Sequence, residues 1–165
     1  MNGPAVPATG SRPLGPLRVA AVDLGATSGR VMVGTVGPGL LELEEVHRFG
    51  NGPVRAGGTL YWDVLGLYRE TQAGLRLAAA GGPVDAIGID SWAVDYALLG
   101  PSGALLDNPV SHRDLRTEGV RERVVKTLSE RDLYATTGLQ QLPFNTLYQL
   151  VSAPELLPAA ETMLL

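Results

Sequence analysis

Cysteine is missing from all 165 residues. Disulfides and thiolate metal sites are thereby excluded, and a reducing compartment such as the cytoplasm is compatible with the chain. Histidine occurs only as His47 and His112, too few for a multi-histidine zinc centre. Positive charge is in the minority: 13 Lys and Arg against 17 Asp and Glu leave a net charge of −4. A nucleic-acid-binding face would need the opposite balance. No uninterrupted apolar run is long enough to cross a bilayer. The opening "MNGPAVPATGSRPLGPL" also lacks the apolar heart of a secretion signal. Its Pro, Gly and Ala content reads as a flexible leader over residues 1–17.

What remains is a globular composition. Hydrophobic residues make up 45% of the chain and charged residues 18%, enough for one domain with its own core. Residues 18–24, 30–36 and 40–49 read as strands of a meander, turned by glycines and by "GPG" at 37–39. A Gly-rich loop over 50–58 leads to "TLYWD". There Asp63 is placed to cap a helix reaching about Ala80, with Val64, Leu67, Tyr68, Thr71, Leu75 and Ala78 on one face. "DAIGID" predicts a short buried strand, and "DYALLGPSGALL" a hairpin turning at Pro101 to Gly103. Helices are predicted over 117–128, over 129–137 with Gly138 as the stop, and over "FNTLYQLVSA". His47 reads as a surface residue of the third strand. The order predicts an α/β fold, a mixed sheet flanked by helices. The chain closes on the apolar "AAETMLL", read as the start of a strand with an unpaired apolar edge near Leu164 and Leu165. Residues 18–165 are therefore expected to be part of a longer domain.

Chemistry concentrates in "VAAVDLGATSGRVMV", residues 19–33. Glycines let a backbone approach a bulky anion and aim several amides at it. Thr27 and Ser28 add hydroxyl donors, and Arg30 adds positive charge suited to phosphate oxygens. Asp23 would repel a phosphate unless Mg²⁺, with its waters, lay between them. The turn therefore reads as a nucleoside triphosphate site. It is not a Walker loop, since no Gly-Lys-Ser/Thr opens a helix here. The same residues also suit a plain hairpin turn, with Gly, Asp, Thr and Ser as turn formers. A second cluster, "IGIDSWAVDY", delivers Asp90, Trp92, Ala93 and Asp95 from the end of a strand. Asp accepts hydrogen bonds from hydroxyls, and an indole offers a flat apolar wall. Alternatively, Trp92 is core and the two acids hold loops. "SHRDLRT" groups His112, Arg113, Asp114 and Arg116, with His112 equally suited to a structural role.

"DLGATSGR" resembles the first phosphate motif of the actin-like ATPase superfold. "VDLGATSGRVMVG", "EVHRFGNGPV", "WDVLGLYRE", "IGIDSWAVDYALL", "HRDLRT" and "GLQQLPFNTLYQL" resemble, in family order across residues 19–150, the FGGY carbohydrate kinases and their rhamnulokinase branch. The resemblance implies an actin-like ATPase (ribonuclease H-like) domain, incomplete at its C-terminus. It implies ATP and Mg²⁺ as cofactors and transfer of the γ-phosphoryl group to the 1-hydroxyl of L-rhamnulose or a related ketose in the cytoplasm. Ala26, Thr27, Ser28, Gly29 and Arg30 would hold the ATP phosphates, and Asp23 the metal. Asp90, Trp92, Ala93, Asp95, His112 and Phe144 would line the sugar. Asn145 is preferred as a helix cap. Many rhamnulokinases carry Gly at the position of Ala93 and Tyr at that of His112. The proton-accepting Asp of the family lies in a His-Asp-Thr-like segment. No such triplet occurs here, so the resemblance places that base beyond Leu165 and no catalytic residue is expected within the chain. Other FGGY kinases, for xylulose, fuculose or glycerol, and a non-catalytic sugar- or nucleotide-binding module are the alternative readings.

Overall fold

The computed structural model describes residues 15–165. Most of the expected leader lies outside the described residues, and Leu17 already opens the first strand. The central sheet is four-stranded with the order β3-β2-β1-β6. Strand β1 (Leu17–Leu24) turns into β2 (Ser28–Gly37), which turns into β3 (Leu40–Gly50); both pairings are antiparallel. A short hairpin follows, β4 (Val54–Ala56) and β5 (Thr59–Tyr61). Helix α1 (Val64–Ala80) then crosses one face of the sheet, and β6 (Ala86–Asp90) returns parallel to β1.

Alternation decides which face is covered. Ala20 and Val22 of β1, with Val31 and Val33 of β2, point to α1 and are buried. Leu67 and Ala78 meet them from the helix. At Gly74 the helix comes so close that a β-carbon would sit 2.3 Å from Val31 Cγ2. The register slips between Val31 and Met32, whose partners are His47 and Glu45. The extra residue, Val46, thereby packs against Ala20, Val33 and Ala78. Asp63 caps α1 as expected, its Oδ1 accepting from Gly66 N at 2.9 Å. The other end is held from outside the helix: Arg18 Nη1 donates to Ala78 O and Gly82 O, each at 2.8 Å.

Beyond β6 the elements are short. Strand β7 (Ala97–Leu99) precedes a 3₁₀ turn at Leu115–Thr117, α2 (Val120–Val124), α3 (Glu130–Thr137) and α4 (Thr146–Ser152). A 3₁₀ segment at Pro154–Ala159 leads to β8 (Thr162–Leu164).

Several expectations need correction. The strand "AIGID" is exposed: it ends the sheet, and Ile87 and Ile89 are 57% and 63% open to solvent. The turn at 101–103 forms, with Leu106 N bonded to Leu98 O, but the ladder partner of β7 is β8. Leu164 is paired with Ala97 on one side only: among the described residues β7 and β8 form a two-stranded sheet, so the outer side of β8 is an apolar edge with Leu164 exposed, as expected. Leu165 falls one residue past β8, so it has no place in the ladder, and its side chain is exposed. The helix expected over 117–128 shrinks to α2, because Gly119 adopts φ +70° and breaks the turn before it. Tyr68 points outward, and Gly74 lies on the buried face instead. His47 faces α1, with Nε2 3.0 Å from Glu70 Oε2. Among the described residues no helix is long and apolar enough to cross a membrane.

Candidate functional site

Two clusters occupy the end of the sheet where β1 and β6 finish. The first is the β1–β2 turn. Asp23 pairs in register with Arg30 on one side and with Asp90 on the other, and Arg30 pairs in turn with Arg48. Paired residues on neighbouring strands face the same way. Arg48, Arg30, Asp23 and Asp90 thus form a row on the face opposite α1, positive toward β3 and negative toward β6. Arg30 Nε donates to Asp23 Oδ2 at 2.8 Å, with the two side chains 43% and 41% exposed. Arg48 is held by Glu45, Nε to Oε1 at 3.0 Å. That bond keeps the Glu45 carboxyl below the usual carboxylate range and raises Arg48.

The turn itself is tight. A β-carbon on Gly25 would meet Ser28 O at 2.8 Å, and one on Gly29 would overlap the Phe49 ring. Asn51, just past β3, donates from Nδ2 to Gly25 O at 2.7 Å and from its backbone N to Thr27 O at 3.0 Å.

The second cluster centres on Asp95, 8% exposed. Its Oδ2 accepts from Trp62 Nε1 and lies 2.8 Å from His112 Nδ1. A carboxylate can only accept, so Nδ1 carries the hydrogen and Nε2 is left as the outward ring nitrogen. Trp62 stacks on Trp92 with centroids 4.0 Å apart, and the His112 ring lies 5.9 Å from Phe144. Gln149, 1% exposed, donates to Val94 O and Phe144 O, and its Oε1 accepts from Arg116. Thr146 Oγ1 also donates to Val94 O. Helix α4 thereby fixes the "AVDY" strap from below. Tyr148 donates its hydroxyl to Gln141 Oε1, and burial pushes that phenol up. Trp92 Nε1 is buried and has no hydrogen-bond partner among the described residues.

The expected residues divide unevenly between these clusters. Asp23 and residues 26–30 are together at the turn. Asp90, expected at the sugar wall, stands in register with Asp23. Trp92, Asp95, His112 and Phe144 are linked through rings and the Asp95 carboxylate. Ala93 is exposed and lines an open groove with Val94, Leu139, Gln141, Asn145 and Leu147. Asn145 occupies the cap position of α4, but its side chain makes no cap bond; Nδ2 donates to Gln140 O. Sequence reasoning missed Trp62, Gln149 and Asn51. Gln149 carried a signal, since a polar residue in an apolar helix needs buried partners. Trp62 carried none that reached Asp95, 33 residues away.

No family model matches the chain. It is similar to the rhamnulokinase of Enterobacter sp. (strain 638), 48% identical over 141 residues, which is 84% of this chain and 29% of that protein. The rhamnulokinase of Bacteroides thetaiotaomicron is 47% identical over 131 residues, 79% of this chain and 27% of that one. That of Oceanobacillus iheyensis is 42% identical over 151 residues, 88% and 32% respectively. The chain thus spans under a third of the length of the curated relatives it matches. Among solved structures, gluconate kinase from Lactobacillus acidophilus superposes with a TM-score of 0.76 at 17% identity, over 90% of this chain and 31% of that one. Ligand-bound xylulose kinase from the same organism gives 0.75 at 17%, over 88% and 31%. These likenesses show the fold, the actin-like ATPase (ribonuclease H-like) architecture of the sugar kinases, present here in part.

Proposed function

We propose that this homologue of the rhamnulokinases is the part of an ATP-dependent sugar kinase that receives the nucleotide phosphates and forms one wall of the sugar site. The observation that carries this reading is the identity of 42–48% to rhamnulokinases over most of the chain. The reaction is transfer of the γ-phosphoryl group of ATP to the 1-hydroxyl of L-rhamnulose, in the cytoplasm where ATP is made. Residues 18–165 form the first, partial domain of that kinase.

Catalysis of this type is positioning and charge neutralisation. The turn 25–28 offers amides and the hydroxyls of Thr27 and Ser28 to phosphate oxygens, and Arg30 offers its guanidinium. Among the described residues Arg30 uses only Nε, on Asp23, so its remaining N–H groups can face a phosphate. The donor set fits Mg²⁺: Asp23 and Asp90 are neighbours across β1 and β6, and Mg²⁺ is ordinarily held by one or two carboxylates, phosphates and waters. When bound, the ion would neutralise charge on the transferred group. At the sugar end, Trp92 and Phe144 supply apolar walls and Ala93 a close backbone. His112 presents Nε2 to a hydroxyl while Asp95 holds its other nitrogen. Asp95 then acts on the sugar through His112. No acid between Met1 and Leu165 is assigned as the proton acceptor.

The test is ADP release by the full-length protein with MgATP and a panel of L-rhamnulose, xylulose, fuculose and glycerol. Preference for rhamnulose is expected. Preference for another sugar moves the assignment within the FGGY kinases, and sugar-independent behaviour with all of them overturns the kinase reading.

A further inference from the structure

We propose that Asn51 is the positioning residue of the phosphate turn: it turns the carbonyls of Gly25 and Thr27 aside so that the amides of Ala26 and Ser28 face the anion. The proposal rests on the reading of this turn as a nucleotide site. Two bonds carry it, Nδ2 to Gly25 O at 2.7 Å and N to Thr27 O at 3.0 Å. No described peptide bond is cis. In a trans peptide the carbonyl and the following N–H point in opposite directions. With both carbonyls drawn to Asn51, the N–H of Ala26 and that of Ser28 are directed away from it. The contacts alternate with the chain, so one residue orients two peptide planes of the same turn.

Anion sites built from successive amides depend on that orientation. An amide flipped by one peptide plane would present its carbonyl and repel phosphate. Phe49 adds the support below: its ring fills the space a side chain on Gly29 would need. The end of β3 therefore works as a prop for the β1–β2 turn, which gives the stretch "RFGN" (residues 48–51) a purpose that its strand pattern does not supply.

The experiment uses the full-length protein with Asn51→Ala and with Asn51→Leu, which keeps the shape and removes the donor. The backbone bond to Thr27 O survives in both. Calorimetric Kd for MgATP is measured beside KM for L-rhamnulose and the thermal midpoint. Loss of one oriented plane is expected to weaken MgATP binding about five- to tenfold, with KM for the sugar within about twofold of the parent. An unchanged Kd overturns the proposal. So does an equal loss for both substrates, or a failure of both variants to fold, since either marks a general structural prop. Gly25→Val, which drives a side chain into Ser28 O, separates the two readings. If it too leaves MgATP binding unchanged, the nucleotide reading of the turn has failed. If it weakens binding while the Asn51 variants do not, only the role of Asn51 has failed.

Discussion

Asp23 has one observed contact and one proposed duty, and they differ greatly in size. As half of a half-exposed ion pair with Arg30, it contributes below about 1 kcal/mol to folding. As a metal-facing carboxylate in phosphoryl transfer, it would be worth several kcal/mol in the transition state, on the order of a hundredfold in rate or more. Asp23→Ala in the full-length protein should therefore lower kcat at saturating Mg²⁺ and ATP while shifting the thermal midpoint little. Equal kcat in mutant and parent refutes the metal role. Ala93 tests the opposite end of the site. It is exposed beside the Trp62–Trp92 stack, so added bulk meets a ligand before it meets the core. Ala93→Leu should raise KM for L-rhamnulose about tenfold and leave the affinity for ATP alone. An unchanged KM would show that the strap is only structural.

At the scale of elements, what could be read in the sequence was whatever closes locally. The meander follows from alternation and glycine turns, α1 from the Asp63 cap, and α3 from Ser129 and from Gly138 at φ +66°. What could not be read depends on distant partners. Nothing near residue 97 shows that β7 pairs with residues 162–164. The strand and its apolar edge near Leu164 and Leu165 follow from the local run, whereas the partner on the other side of β8 does not. Nothing in "AIGID" shows whether its apolar side chains are covered, and here they are not. At the site, the residues of the β1–β2 turn were legible as a group because they are contiguous in sequence. The Asp95 hub was legible only in part, because its donors Trp62, His112 and Gln149 come from three segments far apart in sequence. The His47–Glu70 contact is another such case, and it fastens α1 to β3. The hydrogen bond from His47 holds the Glu70 carboxyl below the usual carboxylate range, with Arg69 adding to it. A carboxylate lowered in the folded state adds stability above its unfolded value of about 4.3 and loses it as pH falls through the lowered folded value. The Glu70 carboxylate's share of the α1–β3 contact should therefore be lost in acid. Carbon-13 NMR should show Glu70 titrating below free Glu, and His47→Phe should return it upward. Identical midpoints in the two proteins would dismiss the contact.

On the scale of the whole molecule, the chain holds the cluster proposed for phosphate and the one proposed for sugar, and no proton acceptor is proposed within it. The curated relatives are more than three times as long as the part matched. Closure of loops or domains around substrates sequesters a reaction from water and completes the catalytic constellation. Residues 1–165 on their own should give no sugar-dependent ADP release above a no-sugar blank. Release that tracks the purified chain would require a base among Asp90, Asp95 and Asp114, in place of one beyond Leu165.

The position of β6 also has a consequence in time. The meander β1–β2–β3 joins neighbours in sequence, but β6 must find β1 from far away: Arg18 and Asp85, bonded where the two strands begin, are 67 residues apart. Local hairpins close quickly, whereas distant parallel pairing waits on the chain between. Strand β6 should therefore arrive last, after α1 has docked, and leave first. In native-state hydrogen exchange its amides should lose protection at a lower free energy than those of β1 and β2. The rim that carries Asp90 to the side of Asp23 would then come and go while the turn that Asn51 braces stays in place, and the two halves of the charge row would be assembled on different clocks.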